Sequence, residues 1–478
     1  MAERRLTLVQ QNDTHGYLWP HPELFWTVPR PTFRRHVGGL ARAVTVVRRL
    51  RQAGPVLWVD GGDTFHGTGP VVLSRGQIVP PLLKAAGIDV MVPGNWVFAY
   101  GPDALKDFIR QSGVSALAAN AETSDGSFLP AVTVKEVGGV RVGLMGLTYP
   151  AETQTMPESF SRGLTFTLDV PEIQASMDRL RHTERVDLTV LLSHIGLPLD
   201  LRLAEEVHGI DVILSAHSHD RLHQVMTVGN TVVIQAGAHG SFLGVLSLTV
   251  DGPQKLSDWD YRLMTLIDEE EDPAIAARVS EALAPYQEQM NEPVGQLGSP
   301  LHRMTVLETP MDRVITDAYV AYTGADMAFS HGWRYGAPML PGVFTRGDLY
   351  NMIPTNPDLF EAELDGHTLR DFLEKNLESV FAANPFHQKG GYVVRSSGLL
   401  MAFKAYHPRG HRIEYLAVNN QEVRPHARYR VVSAGPQALK GIDVTRKGLS
   451  VDAHQVISEY FRRHKPVVVP SGPHVIAL

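Results

Sequence analysis

The chain has 478 residues, 44% hydrophobic and 20% charged, which is the make-up of folded domains with sizeable cores, two or three of them at this length. Its net charge of -7 argues against a general binder of nucleic acid polymer, and no apolar run approaches the ~20 residues of a membrane-spanning helix. It has no cysteine, which excludes disulfides, thiolate metal sites and a cysteine nucleophile.

Any metal must therefore be held by His, Asp, Glu, Asn or Gln, the ligand set of Mn, Mg, Fe or Zn, and 21 histidines make such a site worth seeking. Met1–Ala2–Glu3–Arg4–Arg5 runs straight into apolar residues without a leader's hydrophobic stretch. As written, the chain reads as cytoplasmic; it would be periplasmic if a leader had been removed.

In chain order, 6–10 reads as a short strand running into Asn12–Asp13–Thr14–His15. Asp13 and His15, two apart in extended chain, point to one side and can reach one ion. Alone, that pair is common, and its plain reading is a loop with an Asx turn. Residues 16–37 form a long excursion with Trp19, Phe25, Trp26 and Phe33 among Pro20, Pro22, Pro29 and Pro31, read as an ordered flap at the mouth of a site. An amphipathic helix is expected over 37–52, with Leu40, Val44, Val47 and Leu50 on one face and Arg42, Arg48, Arg49 and Arg51 on a solvated one.

The apolar run 55–59 ends in Asp60–Gly61–Gly62–Asp63–Thr64. It reads as a buried strand delivering Asp63 at its C-terminal edge, where open α/β sheets bind ligands, although Asp-Gly-Gly-Asp alone also makes a good tight turn. A helix is expected over 77–86, then a strand at 89–92 ending in Pro93–Gly94–Asn95–Trp96. Further buried strands are expected at 140–147, at 188–192 ending in Ser193–His194, at 212–216 ending in His217–Ser218–His219, and at 232–235 and 246–250. Chance would scatter His and Asp over helices and loops. Instead Asp13/His15, Asp63, Asn95, His194 and His217/His219 all follow strand-like runs at the same end.

The acidic stretch 268–272 breaks the composition and leads into a helix expected over 274–289. The expected organisation is a metal-binding domain over 1–265, a linker helix in 266–294 and a second domain over 295–478, with helices near 311–323 and 366–379.

With these residues assembled, the chain resembles the two-domain 5'-nucleotidase superfamily over nearly its whole length. The motifs stand in order: Asp13-x-His15, Gly62–Asp63, Gly94–Asn95, His194 and His217-x-His219. The resemblance implies an α/β fold: a four-layer metallophosphoesterase-type β-sandwich flanked by helices, plus a smaller α/β C-terminal substrate domain. It implies two divalent ions, Mn first with Zn, Fe or Mg as alternatives. One would be held by Asp13, His15, Asp63 and His219, the other by Asp63, Asn95, His194 and His217, with Asp63 bridging.

One departure stands out. Nucleotidases read Gly-Asn-His-Glu-Phe-Asp where this chain reads Gly94–Asn95–Trp96–Val97–Phe98–Ala99, so both members of their His–Asp dyad are replaced. That loss is similar to the SoxB thiosulfohydrolase branch of the superfamily, although Asn95 itself is nucleotidase-like where that branch usually has His. Ser74–Arg75–Gly76–Gln77, Ser330–His331–Gly332–Trp333–Arg334–Tyr335–Gly336, Thr345–Arg346–Gly347–Asp348 and Gln388–Lys389–Gly390–Gly391 lean the same way. Trp96 and Arg334 match residues that line the substrate cleft there. His66 and His239 stand near the motifs as supporting residues.

The implied activity is SoxB-like: a metal-bridging hydroxide releases sulfate from an S-sulfonated thiol, either a small anionic substrate or the cysteine arm of a carrier protein. The alternative is a 5'-nucleotidase-like phosphoesterase acting on nucleotides or other phosphate esters, for which Tyr392 and Phe403 are candidate base-stacking aromatics. A non-catalytic relative is disfavoured, because every ligand position is filled.

Overall fold

The near-continuous apolar runs of the first part of the chain form strands buried on both faces, and these assemble into two stacked sheets. The computed structural model describes residues 3–478 except 331–332, 390, 436, 438 and 470–471, so His331, Gly332 and Gly390 of the motifs above lie outside the described residues. The chain groups into two units, Met1–Glu23 with Arg34–Pro285, and Leu24–Phe33 with Tyr286–Leu478.

In the first unit one sheet runs in the order Leu256–Thr265, Phe242–Val250, Arg4–Gln11, Val56–Asp60, Val90–Met91, Ser115–Ala116. The other runs Met226–Val228, Thr231–Ile234, Val212–Ser215, Leu188–Ser193, Val140–Leu147, Val132–Val137. Alternate residues such as Leu6, Leu8, Leu57 and Val59 from the first sheet meet Val142, Leu144, Val190, Leu192 and Leu214 from the second in one buried cluster. Each such side chain contributes about 1.5–3 kcal/mol when fully buried. The opposite faces are buried too: Val9, Trp58 and Met91 on one sheet, Leu191, Ile213 and Val233 on the other. Helix Leu40–Ala53 lies against Val56–Asp60, and helix Leu197–Glu206 against Val212–Ser215, giving a helix–sheet–sheet–helix order.

The central strands of both sheets are parallel. Parallel pairing aligns their C-terminal ends along one edge, which is why a ligand after each strand arrives in one place.

Several local features differ from the sequence reading or add to it. The excursion 16–37 is not all loop: it contains the paired strands His21–Phe25 and Thr32–Val37, joined through the proline-rich 26–31. Its Leu24–Phe33 portion groups with the second unit, where the Trp26 and Phe33 rings lie 6.4 and 6.5 Å from His302. Helix Pro102–Ser112 was not expected, yet its signals are conventional: Pro102 in the first turn, Leu105 and Phe108 on the buried face, and left-handed Gly113 at the end. Third, the arginines at the solvated face of Leu40–Ala53 also form ion pairs. Arg49 pairs with Glu269 at 3.0 Å, and Arg48 pairs with Asp272, which caps helix Pro273–Leu283 by accepting from Ile275 N. That helix, a short turn and Gln287–Met290 occupy the span where one helix was expected.

The second unit is built on a five-stranded sheet, Arg395–Ser397, Met327–Ser330, Arg428–Ala434, Asp358–Asp365, Lys447–Asp452, and a four-stranded one centred on Ile413–Val418 and Leu399–Phe403. Helices Pro310–Thr323 and Gly366–Phe381 form where the periodicity placed them. Among the described residues no helix is long and apolar enough to cross a membrane.

Candidate metal centre

The ligand candidates follow strand ends: Asp13 after Arg4–Gln11, Asp63 after Val56–Asp60, Asn95 after Val90–Met91, His194 after Leu188–Ser193, His217 and His219 after Val212–Ser215. Asp13, His15, Asp63, His217 and His219 all have positive φ, between 47° and 74°. A non-glycine residue in that region is strained by about 1–3 kcal/mol, and persists where surrounding contacts over-determine it. Two glycines permit the crowding. A Cβ on Gly94 would stand 2.2 Å from Asp63 Oδ1, and one on Gly62 would stand 2.6 Å from Gly94 N.

Two groups result, Asp13–His15–His219 and Asp63–His194–His217, each with its ligand atoms within 4.8 Å of one another. They are contiguous. Asp13 Oδ1 lies 3.2 Å from His219 Nε2 and 3.7 Å from His194 Nε2, while Asp63 Oδ2 lies 3.4 Å from His194 Nε2 and 3.9 Å from His15 Nε2. Asn95 Oδ1 is 3.0 Å from His217 Nδ1, which joins it to the second group. His194 Nδ1 is 2.6 Å from Gly61 O; donating there leaves the Nε2 lone pair for an ion. That Nε2 is fully buried and, among the described residues, faces only the Asp63 and Asp13 carboxylate oxygens at 3.4 and 3.7 Å without a well-formed hydrogen bond, a state that an ion would complete. Buried carboxylate oxygens, an amide oxygen and imidazole nitrogens at this spacing fit a pair of divalent cations.

The electrostatics agree. Burial would raise the Asp13 carboxyl, but attraction to His219 and His194 outweighs it and holds the group well below the usual carboxylate range. His194 is opposed by burial, yet Asp63 and Asp13 carry it up to about 9. An ion would take over the role those protons play.

Other residues hold the ligands in place. Asn12 Nδ2 donates to Asp13 Oδ2 at 2.7 Å and His217 N donates to the same oxygen at 2.9 Å. Asp60, pushed up to about 6 by burial, accepts from Gln11, Thr64 and Gly62 N and so shapes the turn before Asp63. The Tyr149 ring stacks on His217 with centroids 4.2 Å apart. Asn12 adjoins Asp13 in sequence and Asp60 belongs to the quoted motif, so both were findable; nothing in the sequence marked Tyr149.

Trp96 N donates to Asp63 Oδ1 at 2.7 Å, and its indole stacks on His66 (4.8 Å, 20°) with Phe160 edge-on at 6.0 Å. Burial pushes His66 down to about 3, so this imidazole is neutral. Arg334 belongs to the second unit, between buried Trp333 and Tyr335 on the loop after Met327–Ser330. Buried Arg303 anchors that loop, donating to Tyr335 O at 3.0 Å and to Asp312 Oδ1 at 3.0 Å. Of the two stacking candidates, Phe403 is fully buried in the core and unfit for a ligand, while half-buried Tyr392 has the Arg395 guanidinium 4.5 Å from its ring.

Beneath His194, Asp200 is fully buried with the Ser193 and Ser215 hydroxyls nearby, and burial pushes its carboxyl up to about 7. The unfolded group ionises near ~3.9, so the folded state holds an extra proton between those values. Its contribution to stability is therefore full in acid and lost as pH rises towards 7. In metal-free protein Asp200→Asn should remove that loss, stabilising at pH 8 by on the order of 1–3 kcal/mol with much less gain at pH 5. Melting temperatures at the two pH values check this; an unchanged gap between them would refute it.

Known proteins bear the same architecture. The calcineurin-like phosphoesterase family matches residues 6–221, and the 5'-nucleotidase C-terminal domain family matches residues 292–443. The trifunctional nucleotide phosphoesterase protein YfkN of Bacillus subtilis is 25% identical over 458 residues, covering 85% of this chain, which spans only 30% of that protein's length. Among solved structures, the sulfate thiohydrolase SoxB of Thermus thermophilus superposes with a TM-score of 0.90 at 26% identity, covering 99% of this chain and 96% of that one. A 5'-nucleotidase precursor, also from Thermus thermophilus, gives 0.87 at 26% identity, covering 99% of both chains. Calcineurin-like phosphoesterases use two divalent metals, in keeping with the two groups of donors found here. The chain belongs to the two-domain 5'-nucleotidase superfamily, with a calcineurin-like phosphoesterase domain followed by a 5'-nucleotidase C-terminal domain, and is a metal-dependent hydrolase.

Proposed function

We propose that the protein is a SoxB-like thiosulfohydrolase, releasing sulfate from an S-sulfonated thiol. In this reading Asp13, His15, Asp63 and His219 hold one divalent ion and Asp63, Asn95, His194 and His217 the other, with manganese the first candidate. When bound, such a pair supplies an activated water and a clamp on anionic oxygens.

The observation that carries the reading is the seat of Trp96. Its backbone is hydrogen-bonded to Asp63 and its indole stacks on His66 with Phe160 edge-on, at the position where the nucleotidase motif has the histidine of its dyad. The wall beside the ligands is therefore aromatic, and the imidazole within it, His66, is neutral. Such a wall offers no strong acid to a departing alkoxide. A thiolate, whose conjugate acid has a pKa near ~8.5, leaves without one. Water adds to the sulfonate sulfur, the S–S bond breaks, the thiolate takes the electron pair, and sulfate and two protons are released.

Arg334 is assigned to the substrate's anionic oxygens, for which a planar guanidinium suits two-point contact. The substrate is a small S-sulfonated thiol or the S-sulfonated cysteine of a carrier protein. The second reading, hydrolysis of nucleotides or other phosphate esters, is favoured by the likeness to YfkN and to the 5'-nucleotidase precursor. Sulfate release from an S-sulfonated cysteine peptide, with AMP as the rival substrate, separates the two.

A further inference from the structure

A buried carboxylate that this reaction does not use stands behind the Asp13–His15–His219 group. Glu23 lies on strand His21–Phe25 and is completely buried. Its Oε1 accepts from Arg221 Nη2 at 2.8 Å; its Oε2 accepts from Ser241 Oγ at 2.8 Å and lies 3.4 Å from His239 Nδ1. Burial would raise this carboxyl, but Arg221 and His239 hold it well below the usual carboxylate range, so it is ionised.

Each partner leads to a ligand. Arg221 closely follows His219 and lies over the Phe242 ring at 4.5 Å, which fixes the end of the loop carrying His217 and His219. His239 N donates to the Asp13 carbonyl at 2.8 Å, and His21 Nε2 lies 2.8 Å from the His239 carbonyl, so this second loop buttresses Asp13. His217, His219 and His239 all have left-handed backbones that tertiary contacts must sustain. Through Arg221 and His239, Glu23 is bonded to both loops. The Asp63–His194–His217 group shares the His217 N to Asp13 Oδ2 bond with that loop but also has supports of its own that do not pass through Glu23: Gly61 O, Trp96 N, Asn95 and the Tyr149 ring.

We infer that Glu23 is a positioning residue of the Asp13/His15/His219 site, holding the His219 loop against the Asp13 loop and so tuning the affinity of that site for a divalent ion. The inference rests on the ligand assignment proposed above, and not on which substrate is cleaved.

The test is manganese titration of chelator-stripped protein, read by calorimetry and by electron paramagnetic resonance. His219→Gln and His194→Gln serve as references for loss of one site or the other. Glu23→Gln should weaken one of two binding events about 10–100-fold, the usual cost of losing a residue that orients a ligand, and leave the other in place. At two equivalents its spectrum should match that of His219→Gln, an isolated ion, where the unaltered protein gives a coupled pair. Ser241→Ala removes a single bond to Glu23 and should shift the same event by a smaller factor; it decides the matter if Glu23→Gln does not fold. Equal weakening of both events, no change in either, or a match to His194→Gln would overturn the inference. No substrate enters these readouts. A failure of sulfate release leaves them standing, and their failure leaves the choice of substrate untouched.

Discussion

Asp63→Asn should abolish turnover and metal pairing together. Asp63 Oδ2 lies 3.4 Å from His194 Nε2 and 3.9 Å from His15 Nε2, so this one carboxylate faces both donor groups. Its other oxygen accepts from Trp96 N at 2.7 Å, which ties the ligand to the wall of the site. Asn keeps the size and one acceptor while removing the charge that two cations would share. A metal pair stabilises the transition state by several kcal/mol, so turnover should fall by about 10³-fold or more. Metal content should fall below two ions per chain while the far-ultraviolet circular dichroism stays the same. A variant that retained both ions and most of its activity would remove Asp63 from the bridging role.

The second large effect runs in the opposite direction. Trp96→His combined with Ala99→Asp should create phosphatase activity. The two positions are three apart on the 3₁₀-helix Trp96–Tyr100, and side chains at that spacing eclipse in such a helix. A histidine and an aspartate placed there would face each other beside Asp63, restoring the nucleotidase pairing. Acid catalysis by a positioned side chain contributes 10²–10⁴-fold, so AMP hydrolysis should rise by about 10²-fold. Sulfate release should gain nothing, because a thiolate needs no acid, and should fall as the Trp96–His66 stack is lost. If AMP hydrolysis did not rise, the absent dyad would not be what sets the substrate.

The sandwich was legible because its information is local. Runs such as 140–147 and 188–192 are continuous apolar strands, and the observed Val140–Leu147 and Leu188–Ser193 match or nearly match them. The ligand candidates could be read because parallel strands bring their C-terminal ends to one edge, so a position in the chain becomes a position in space. What could not be read depends on residues meeting from afar. Glu23 and Arg221 are 198 positions apart, and Tyr149 reaches His217 from another strand end. Arg48 and Arg49 are exposed as their helix face implies, but their ion pairs with Asp272 and Glu269 depend on the acidic stretch near 270 folding back onto that helix. Phe403 looked like a free aromatic because exposure is a property of the whole core, and it is fully buried. The helix Pro102–Ser112 is marked locally as well, by Pro102 in its first turn and Gly113 at its end.

The most direct test of the central claim compares kcat/KM for an S-sulfonated cysteine peptide, followed by sulfate release, with kcat/KM for AMP, followed by phosphate release, on the same manganese-loaded protein. The aromatic wall and the missing dyad predict ready sulfate release with AMP slower by about 10²-fold or more, the share of rate that a positioned acid supplies. Efficient AMP hydrolysis without sulfate release would contradict the account and make the protein a nucleotidase whose leaving group is protonated by some other residue.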